Sequence, residues 1–366
     1  MDKPYPPLYY SEYLELDRLL DSQHRKSEEY GSPAHDEMLF IIVHQAYELW
    51  FKQILFEINS VIGLLSEDPV QEKHIGVCVS RLQRVIEIQK ILIDQLRVLE
   101  TMTPLDFLDF RDYLFPASGF QSIQFRMVEI RLGLQSDTRL RYNHAAYHSR
   151  VSAEHRDELI AAEQETSLFG ALEHWLERTP FLESDSFRFW ERYRAAVHEM
   201  LEHDRSVIEG NPTLSDDEKV QQLHEHAGTA EHFDAMFDPA KHRALQQEEQ
   251  RRLSHRATLA ALFISLYRDQ PILTMPHRLL ASLVDIDELF TTWRYRHALM
   301  VHRMIGTKIG TGGSSGYQYL KSTADSHRIF RDLTNLSTFL IPRRALPELP
   351  DDVLHRLGFV YGTDAL

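Results

Sequence analysis

The sequence predicts an all-α protein, a large helical domain with a smaller peripheral helical insertion. Along most of the chain, apolar residues recur at three- and four-residue steps, the spacing of one helix face. Strand-like alternation of apolar and polar residues is scarce. Several of the periodic segments are also too long for the helices of a doubly wound α/β unit, which leaves helix-on-helix packing as the favoured architecture.

The periodic segments and polar breaks define the expected elements in chain order. Helices are expected at 11–23, 36–65, 71–100, 104–114, 123–134, 157–178, 186–204 and 283–305. The polar breaks fall near 66–70, 135–150 and 205–255. We therefore expect an N-terminal arm and helix over 1–35, a helical core over 36–204 and 256–342, a peripheral helical insertion over 205–255, and a C-terminal tail over 343–366. The proline-marked segment NLSTFLIPRRALPELP is expected to lie extended against the body.

Composition and charge exclude several classes of protein. The chain has 366 residues, 43% of them hydrophobic and 26% charged, as in an ordinary globular protein. The net charge of −15, with no clustered basic face, argues against a nucleic-acid partner. The single cysteine, Cys78, excludes an intrachain disulfide framework and a cysteine-based zinc site, and it predicts a cytoplasmic protein. The N-terminus lacks a signal-peptide run, and no stretch approaches the roughly 20 apolar residues of a membrane span.

The segment HDEMLFIIVHQAYELWFKQILFEI is predicted to be a helix with one inward face. Its apolar stripe also includes a histidine: Phe40, Val43, His44, Tyr47, Phe51, Ile54, Leu55 and Ile58. Gln45, Glu48 and Lys52 are assigned to another side, with Glu48 and Lys52 as a favourable i,i+4 pair. His44 therefore points inward. It is either a hydrogen-bonded core residue or part of a site.

Phe107 and Arg111 are i,i+4 neighbours in the helix predicted for LDFLDFRDYL. An arginine among apolar positions is costly unless it is paired. Its planar fork is suited to binding a carboxylate at two points. The alternative is an internal salt bridge with Asp109, Asp112 or a more distant acid.

The segment WRYRHALMVHRMIG followed by TKIGTGGSSG places two histidines before a glycine-rich stretch. His297 and His302 are five residues apart, so their side chains diverge by roughly 140° and cannot easily serve one metal. No Gly-Lys-Ser/Thr ends the glycine run, and Ser315 stands where a dinucleotide fingerprint needs its last glycine. What remains is backbone that can approach a ligand closely, with the hydroxyl of Thr311. The histidines of HEHAGTAEH, 224–232, lack H-E-x-x-H spacing and are interpreted as surface composition.

These segments together resemble the tryptophan 2,3-dioxygenase family, whose members use haem. The similarity covers most of the chain and is strongest in four blocks: LYYSEYLELD, HDEMLFIIVHQAYELWFKQILFEI, ETMTPLDFLDFRDYLFPASGFQSIQFR and WRYRHALMVHRMIGTKIGTGGSSGYQYLKST. The family fold is all-α and built around a haem pocket, in agreement with the periodicity. Residues 135–270 fit the family more loosely.

The resemblance implies a role for each candidate residue. His297 is the proximal ligand of the iron in one haem b per subunit, and Ser118 lies close to the haem. His44 is the distal histidine, acting in catalysis on the indole N–H of the substrate. Arg111 binds the substrate carboxylate, and Thr311 contacts its ammonium and carboxylate end. The implied substrate pocket also includes Phe40, Ile41, Ile42, Val43 and Phe107. Phe107 stands where some bacterial members carry tyrosine.

The resemblance also implies the reaction and the assembly. The expected substrates are L-tryptophan and O2, and the product is N-formyl-L-kynurenine, formed by cleavage of the indole C2–C3 bond. Tyr10, Tyr13 and Leu14 match a segment that completes the pocket of a neighbouring subunit in a homotetramer. The alternatives are a related haem enzyme that oxidises another aromatic amino acid or indole, and a non-catalytic haem protein that binds a diatomic gas.

Overall fold

The computed structural model describes residues 5–135, 152–180, 189–308 and 316–358. All regular secondary structure in these ranges is helical, which confirms the predicted all-α class. None of the helices in these ranges is long and apolar enough to cross a membrane.

The helices vary from single turns to one of 35 residues. In chain order they are α1 (Tyr10–Leu14), α2 (Leu16–Leu20), α3 (Lys26–Glu29), α4 (Glu37–Leu65), α5 (Glu72–Leu99), α6 (Pro104–Arg111), α7 (Ile123–Leu132), α8 (Ala153–Glu163), α9 (Leu168–Glu177), α10 (Phe189–Gly210), α11 (Asp216–Phe237), α12 (Pro239–Gln247), α13 (His255–Leu266), α14 (Pro271–Ile305), α15 (Gly316–Ser326), α16 (Arg331–Asn335) and α17 (Asp351–Leu357). Short 3-10 turns follow α6, precede α7 and follow α16.

The long helices α4, α5 and α14 form the centre of the molecule. The buried residues of each helix recur at three- and four-residue steps, the spacing of the inward face of an amphipathic helix. Polar groups also join α4 to α5: the Tyr47 hydroxyl donates to the carbonyl of Leu92 at 2.6 Å, and Gln95 Nε2 donates to the carbonyl of Val43 at 3.0 Å. The wall that carries His44 is therefore rigidly held.

Three of the sequence boundaries are wrong, each for a local reason. The helix expected at 157–178 is two helices, because the Ser167 side chain accepts the N–H of Gly170 and starts α9 afresh. The helix expected at 11–23 is broken at Glu15, whose backbone is left-handed with φ of 48°. α14 begins at Pro271, twelve residues before 283, since Pro276 lies near its start and removes only one hydrogen bond there.

The polar segment 205–255 contains the end of α10 and all of α11 and α12. α10 and α11 pack against each other. Two histidines of HEHAGTAEH bond to backbone carbonyls: His226 Nε2 lies 2.9 Å from Leu201 O, and His232 Nδ1 lies 2.6 Å from Gly228 O. Within the described ranges, no group of three or more His, Cys, Asp or Glu side chains could hold a metal ion. The division of the chain into core, insertion and arms stays a prediction.

Candidate active site

A largely apolar cavity lies between α4, α6, α7, α14 and α15. Its walls combine aromatic and aliphatic side chains with a small set of polar ones. The polar and ionisable lining residues are His44, Glu48, Arg111, Ser118, Ser122, Arg126, Glu129, Arg294, His297, Thr323 and His327. An apolar cavity with a few convergent polar groups is the usual form of a small-molecule site.

His44 lies on α4 with its ring open to the cavity. Its Nδ1 is 2.7 Å from the carbonyl oxygen of Phe40, one turn earlier. Because a carbonyl only accepts, Nδ1 carries the hydrogen in the neutral ring and Nε2 keeps its lone pair. Burial lowers the pKa of His44, and the bond to Phe40 opposes that shift only in part. His44 is therefore a neutral hydrogen-bond acceptor at pH 7.

Aromatic rings close the cavity around His44. The Phe40 ring centroid is 4.1 Å from that of His44 and 5.8 Å from that of Phe107. Behind both lies Phe110, which is fully buried, with its centroid 5.5 Å from Phe40 and 5.4 Å from Phe107. These contacts hold the rings of Phe40 and Phe107 in place where α4 and α6 border the cavity. A flat aromatic molecule could therefore pack against side chains that are already ordered.

Arg111 is the last residue of α6, and its guanidinium borders the cavity. α6 starts at a fixed point, since Thr103 and Asp106 form a capping box and Pro104 occupies the first helical position. Arg111 Nη1 is 3.8 Å from Asp112 Oδ1, but the Asp112 side chain is 91% exposed against 20% for Arg111. A pair to so solvated a carboxylate is weak. The pair with Asp112 thus accounts for little of the placement of Arg111.

His297 lies on α14 and lines the cavity, whereas His302 is exposed. The ring of Trp293, one turn earlier, stacks on the ring of His297 with centroids 5.3 Å apart and planes 4° from parallel. His302 instead contacts Tyr317 at 4.6 Å. The divergence expected from their spacing is confirmed. Burial, with a smaller contribution from His44, lowers the pKa of His297 to about 4, so a neutral imidazole nitrogen is available to a metal at pH 7.

Ser118 and Ser122 flank a 3-10 turn over Gly119–Gln121 at the edge of the cavity. The Ser118 side chain accepts the N–H of Phe120, and the Ser122 side chain accepts the N–H of Phe125 to start α7. Both hydroxyls thus set the course of the backbone beside the site.

Glu48 corrects the sequence interpretation of α4. It lies on the cavity wall and interacts with the Ser122 hydroxyl, and burial raises its pKa. No ion pair joins it to Lys52 in the part of the chain that the structure describes. The spacing contained the signal, because Phe40, His44 and Glu48 follow one another at i,i+4 and share a face.

A buried ionic cluster forms another part of the wall, and the sequence interpretation missed it. Glu129 on α7 accepts from Arg126 Nη1 and from Arg294 Nη2, both at 3.0 Å. Arg294 Nη1 donates to the carbonyl of His327 at 3.1 Å. Arg126 and Glu129 stand at i,i+3 in the helix IQFRMVEIRL, each with apolar residues on both sides, a pattern that could have indicated a buried pair. The cluster joins α7, α14 and the end of α15.

The structure brings only some of the candidate residues to this cavity in one chain. Phe40, His44, Phe107, Arg111, Ser118 and His297 line it. Ile41, Ile42 and Val43 do not, because successive helix residues are about 100° apart and, of residues 40–44, only Phe40 and His44 face the cavity. Tyr10, Tyr13 and Leu14 are 75%, 71% and 40% exposed on the N-terminal arm. Thr311, with the glycine-rich stretch around it, lies outside the described residues.

Fold and cavity together define an all-α protein whose internal, aromatic-walled site brings together the imidazoles of His44 and His297 and the guanidinium of Arg111. The chain belongs to the tryptophan 2,3-dioxygenase family, whose model matches residues 5–340. It is similar to the tryptophan 2,3-dioxygenase of Bdellovibrio bacteriovorus, with 51% identity over 98% of this chain and 99% of the relative. The proteins of the same name from Dictyostelium discoideum and Xenopus tropicalis are each 48% identical, over 97% and 93% of this chain and 89% and 84% of theirs.

Proposed function

We propose that this chain is a haem-dependent dioxygenase that cleaves the indole C2–C3 bond of L-tryptophan with O2. The product is N-formyl-L-kynurenine, which retains both oxygen atoms, so the balanced reaction consumes no external electrons. The observation that carries the proposal is the joint placement of His44, Arg111 and His297 around one cavity in a member of this family. The cytoplasmic location expected from the single, buried Cys78 is part of the proposal.

The residues present fit haem b, one per subunit. His297 is a neutral nitrogen donor, and the ring of Trp293 holds its plane. The walls around it are mostly apolar, which suits a porphyrin, and buried arginines in the same walls suit its acidic groups. Ser118, at the cavity edge, is the other residue that we assign to the haem. When bound, the haem supplies the iron that activates dioxygen.

The chain's own part in the reaction is to bind, orient and dehydrate the substrate. His44 accepts the indole N–H through Nε2, the nitrogen left free by the bond from Nδ1 to Phe40. Phe40 and Phe107 pack against the indole and exclude water. Arg111 binds the carboxylate, and Thr311 contacts the ammonium and carboxylate end. With both ends held, the indole can lie in one orientation only, which is worth more to the rate than tight binding alone.

The sequence also assigned Ile41, Ile42 and Val43 to the substrate. They lie on α4 between Phe40 and His44, the two residues of this stretch that line the cavity, and we propose that they act by packing α4 in place. Val43 does so from the core, where it is 4% exposed and its carbonyl accepts from Gln95.

The same proposal includes a homotetramer in which the N-terminal arm completes a neighbouring pocket. The support is the exposure of Tyr10 and Tyr13, two large aromatic side chains on one short segment. Aromatic side chains of this kind are enriched where proteins meet.

The deciding experiment combines the cofactor and the reaction. Protein purified with haem is reduced anaerobically, L-tryptophan and O2 are added, and the absorbance of N-formylkynurenine is followed. His297→Ala should lose stoichiometric haem and its Soret band, whereas His302→Ala, on the exposed side of the same helix, should keep both. A normal Soret band and retained turnover in His297→Ala would refute the assignment of the ligand.

A further inference from the structure

The buried cluster around Glu129 contains more positive than negative charge. Arg126, Glu129 and Arg294 are 8%, 2% and 6% exposed, so none of them is solvated as a surface charge would be. Glu129 is shared by both guanidiniums. Nδ1 of His327 lies 3.5 Å from Glu129 Oε1. Since neither protonation of His327 nor neutralisation of Glu129 would remove positive charge, the side chains of the cluster together carry at least one excess positive charge whatever their protonation.

The neighbouring side chains of the described residues do not cancel this excess. Asp287, on α14 two turns before Arg294, faces the same region, but it forms an ion pair with Arg328 at 3.9 Å and accepts the N–H groups of Ile329 and Phe330. Elsewhere on the cavity wall, Glu48 contributes one carboxyl and Arg111 one guanidinium, so together these two residues add no net charge. Arg126 and Arg294 each have Glu129 as their one ion-pair partner within 4.0 Å in the described ranges. We assign the excess charge to Arg126, because Arg294 also donates to the carbonyl of His327.

The cluster is also close to the proposed iron ligand. Arg294 precedes His297 by three residues on α14, and residues at that spacing are neighbours on a helix face. Arg126, Arg294 and His297 all line the same cavity. Because the wall of the cavity is poorly solvated, a charge on it acts on the contents of the cavity with little screening. An excess charge is costly to bury, so its retention here points to an effect on what the cavity contains.

We propose that the positive charge of Arg126 raises the reduction potential of the bound haem and so holds the iron in the ferrous state. This inference rests on the proposed haem site. Reduction adds one electron to the cavity, and a fixed positive charge beside it stabilises the more negative, reduced form. The electron comes from an external reductant before the first turnover. Because the reaction itself returns the iron to the ferrous state, a raised potential protects the active form between turnovers.

The test is the midpoint potential of the holoenzyme, measured by spectroelectrochemistry, in three variants. Arg126→Met keeps much of the length and apolar contact but removes the charge, and it should lower the potential and speed autoxidation of the ferrous enzyme. Arg126→Lys retains the charge and should stay near the unsubstituted protein. Arg131→Met is the matched control, since Arg131 lies on the same helix outside the cavity and bonds to Asn59 and Glu165. Its potential should not shift.

A fourth variant makes the sign of the effect decisive. Glu129→Gln removes negative charge, so the midpoint potential should rise, whereas it should fall in Arg126→Met. If a general loosening of the wall were responsible, the potential would shift in the same direction in both variants. A full Soret band with an unchanged potential in Arg126→Met would overturn the inference and leave the proposed function intact. A lowered potential in Arg126→Lys would also overturn it, because packing and not charge would then be responsible. Absence of haem from the unsubstituted protein would instead refute the proposed function.

Discussion

Replacing Arg111 by methionine separates substrate binding from stability. The side chain borders the cavity, and its nearby carboxylate, Asp112 at 3.8 Å, is 91% exposed. A charge-assisted hydrogen bond to the substrate carboxylate is worth about 1.5–3 kcal/mol, so its loss should reduce kcat/KM roughly 10- to 150-fold. The pair with solvated Asp112 contributes at most about 1 kcal/mol to folding. We therefore expect a large kinetic effect with a small change in stability.

The assay is steady-state formation of N-formylkynurenine, alongside equilibrium unfolding and the Soret band of each variant. Most of the loss should appear as a higher KM, because binding through the carboxylate acts on ground state and transition state alike. Asp112→Asn is the matched control: it removes the same ion pair but leaves the guanidinium, and its kinetics should stay close to those of the unsubstituted enzyme. Loss of haem from Arg111→Met, or an equal kinetic loss in Asp112→Asn, would show that Arg111 acts on the structure and not on the substrate.

The remaining predictions concern acidity, the core and the arm. Because the pKa of His44 is lowered by burial, its neutral form persists below the ordinary value of 6.5; kcat/KM should hold through that pH and decline only in more acidic solution, and a decline centred at 6.5 would contradict this. His44→Ala should keep reduced but measurable turnover, and an inert variant would imply a stronger role in catalysis. Phe110→Ala, at a fully buried position, should cost about 3–5 kcal/mol of unfolding free energy, against about 0.5 or less for Phe56→Ala, which is 70% exposed; equal costs in denaturant titrations would refute the packing argument. Tyr13→Ala should shift sedimentation towards smaller species, whereas Val220→Ala, at a similarly exposed position on another helix (68% against 71%), should not; an intact tetramer in Tyr13→Ala would argue against docking through the arm.

Much of the fold could be predicted because apolar periodicity is a local signal. The helix expected over 36–65 is found as α4 over Glu37–Leu65, and the one expected over 71–100 as α5 over Glu72–Leu99. Boundaries failed where a single side chain decides them. Ser167 restarts a helix inside a continuous periodic segment, and Pro276 resembles a stop signal although it lies near the start of α14.

The site was predictable where two residues share a face and unpredictable where the wall is assembled from distant segments. Phe40 and His44, or Phe107 and Arg111, are i,i+4 pairs that spacing alone brings together. The contact of Arg294 with Glu129 joins residues 165 positions apart, which periodicity in one helix cannot reveal. Spacing separated His297 from His302, but the choice between them in the sequence came from the family resemblance.

The bond from His44 Nδ1 to the carbonyl of Phe40 has a consequence for protein engineering. The imidazole that we propose as the acceptor of the indole N–H is held by the main chain, and no second side chain is needed to set its tautomer. Phe107 contacts Phe40 and Phe110 but takes no part in that bond. A library of smaller residues at Phe107 can therefore make room for ring-substituted tryptophans while the group that recognises the indole N–H stays where it is.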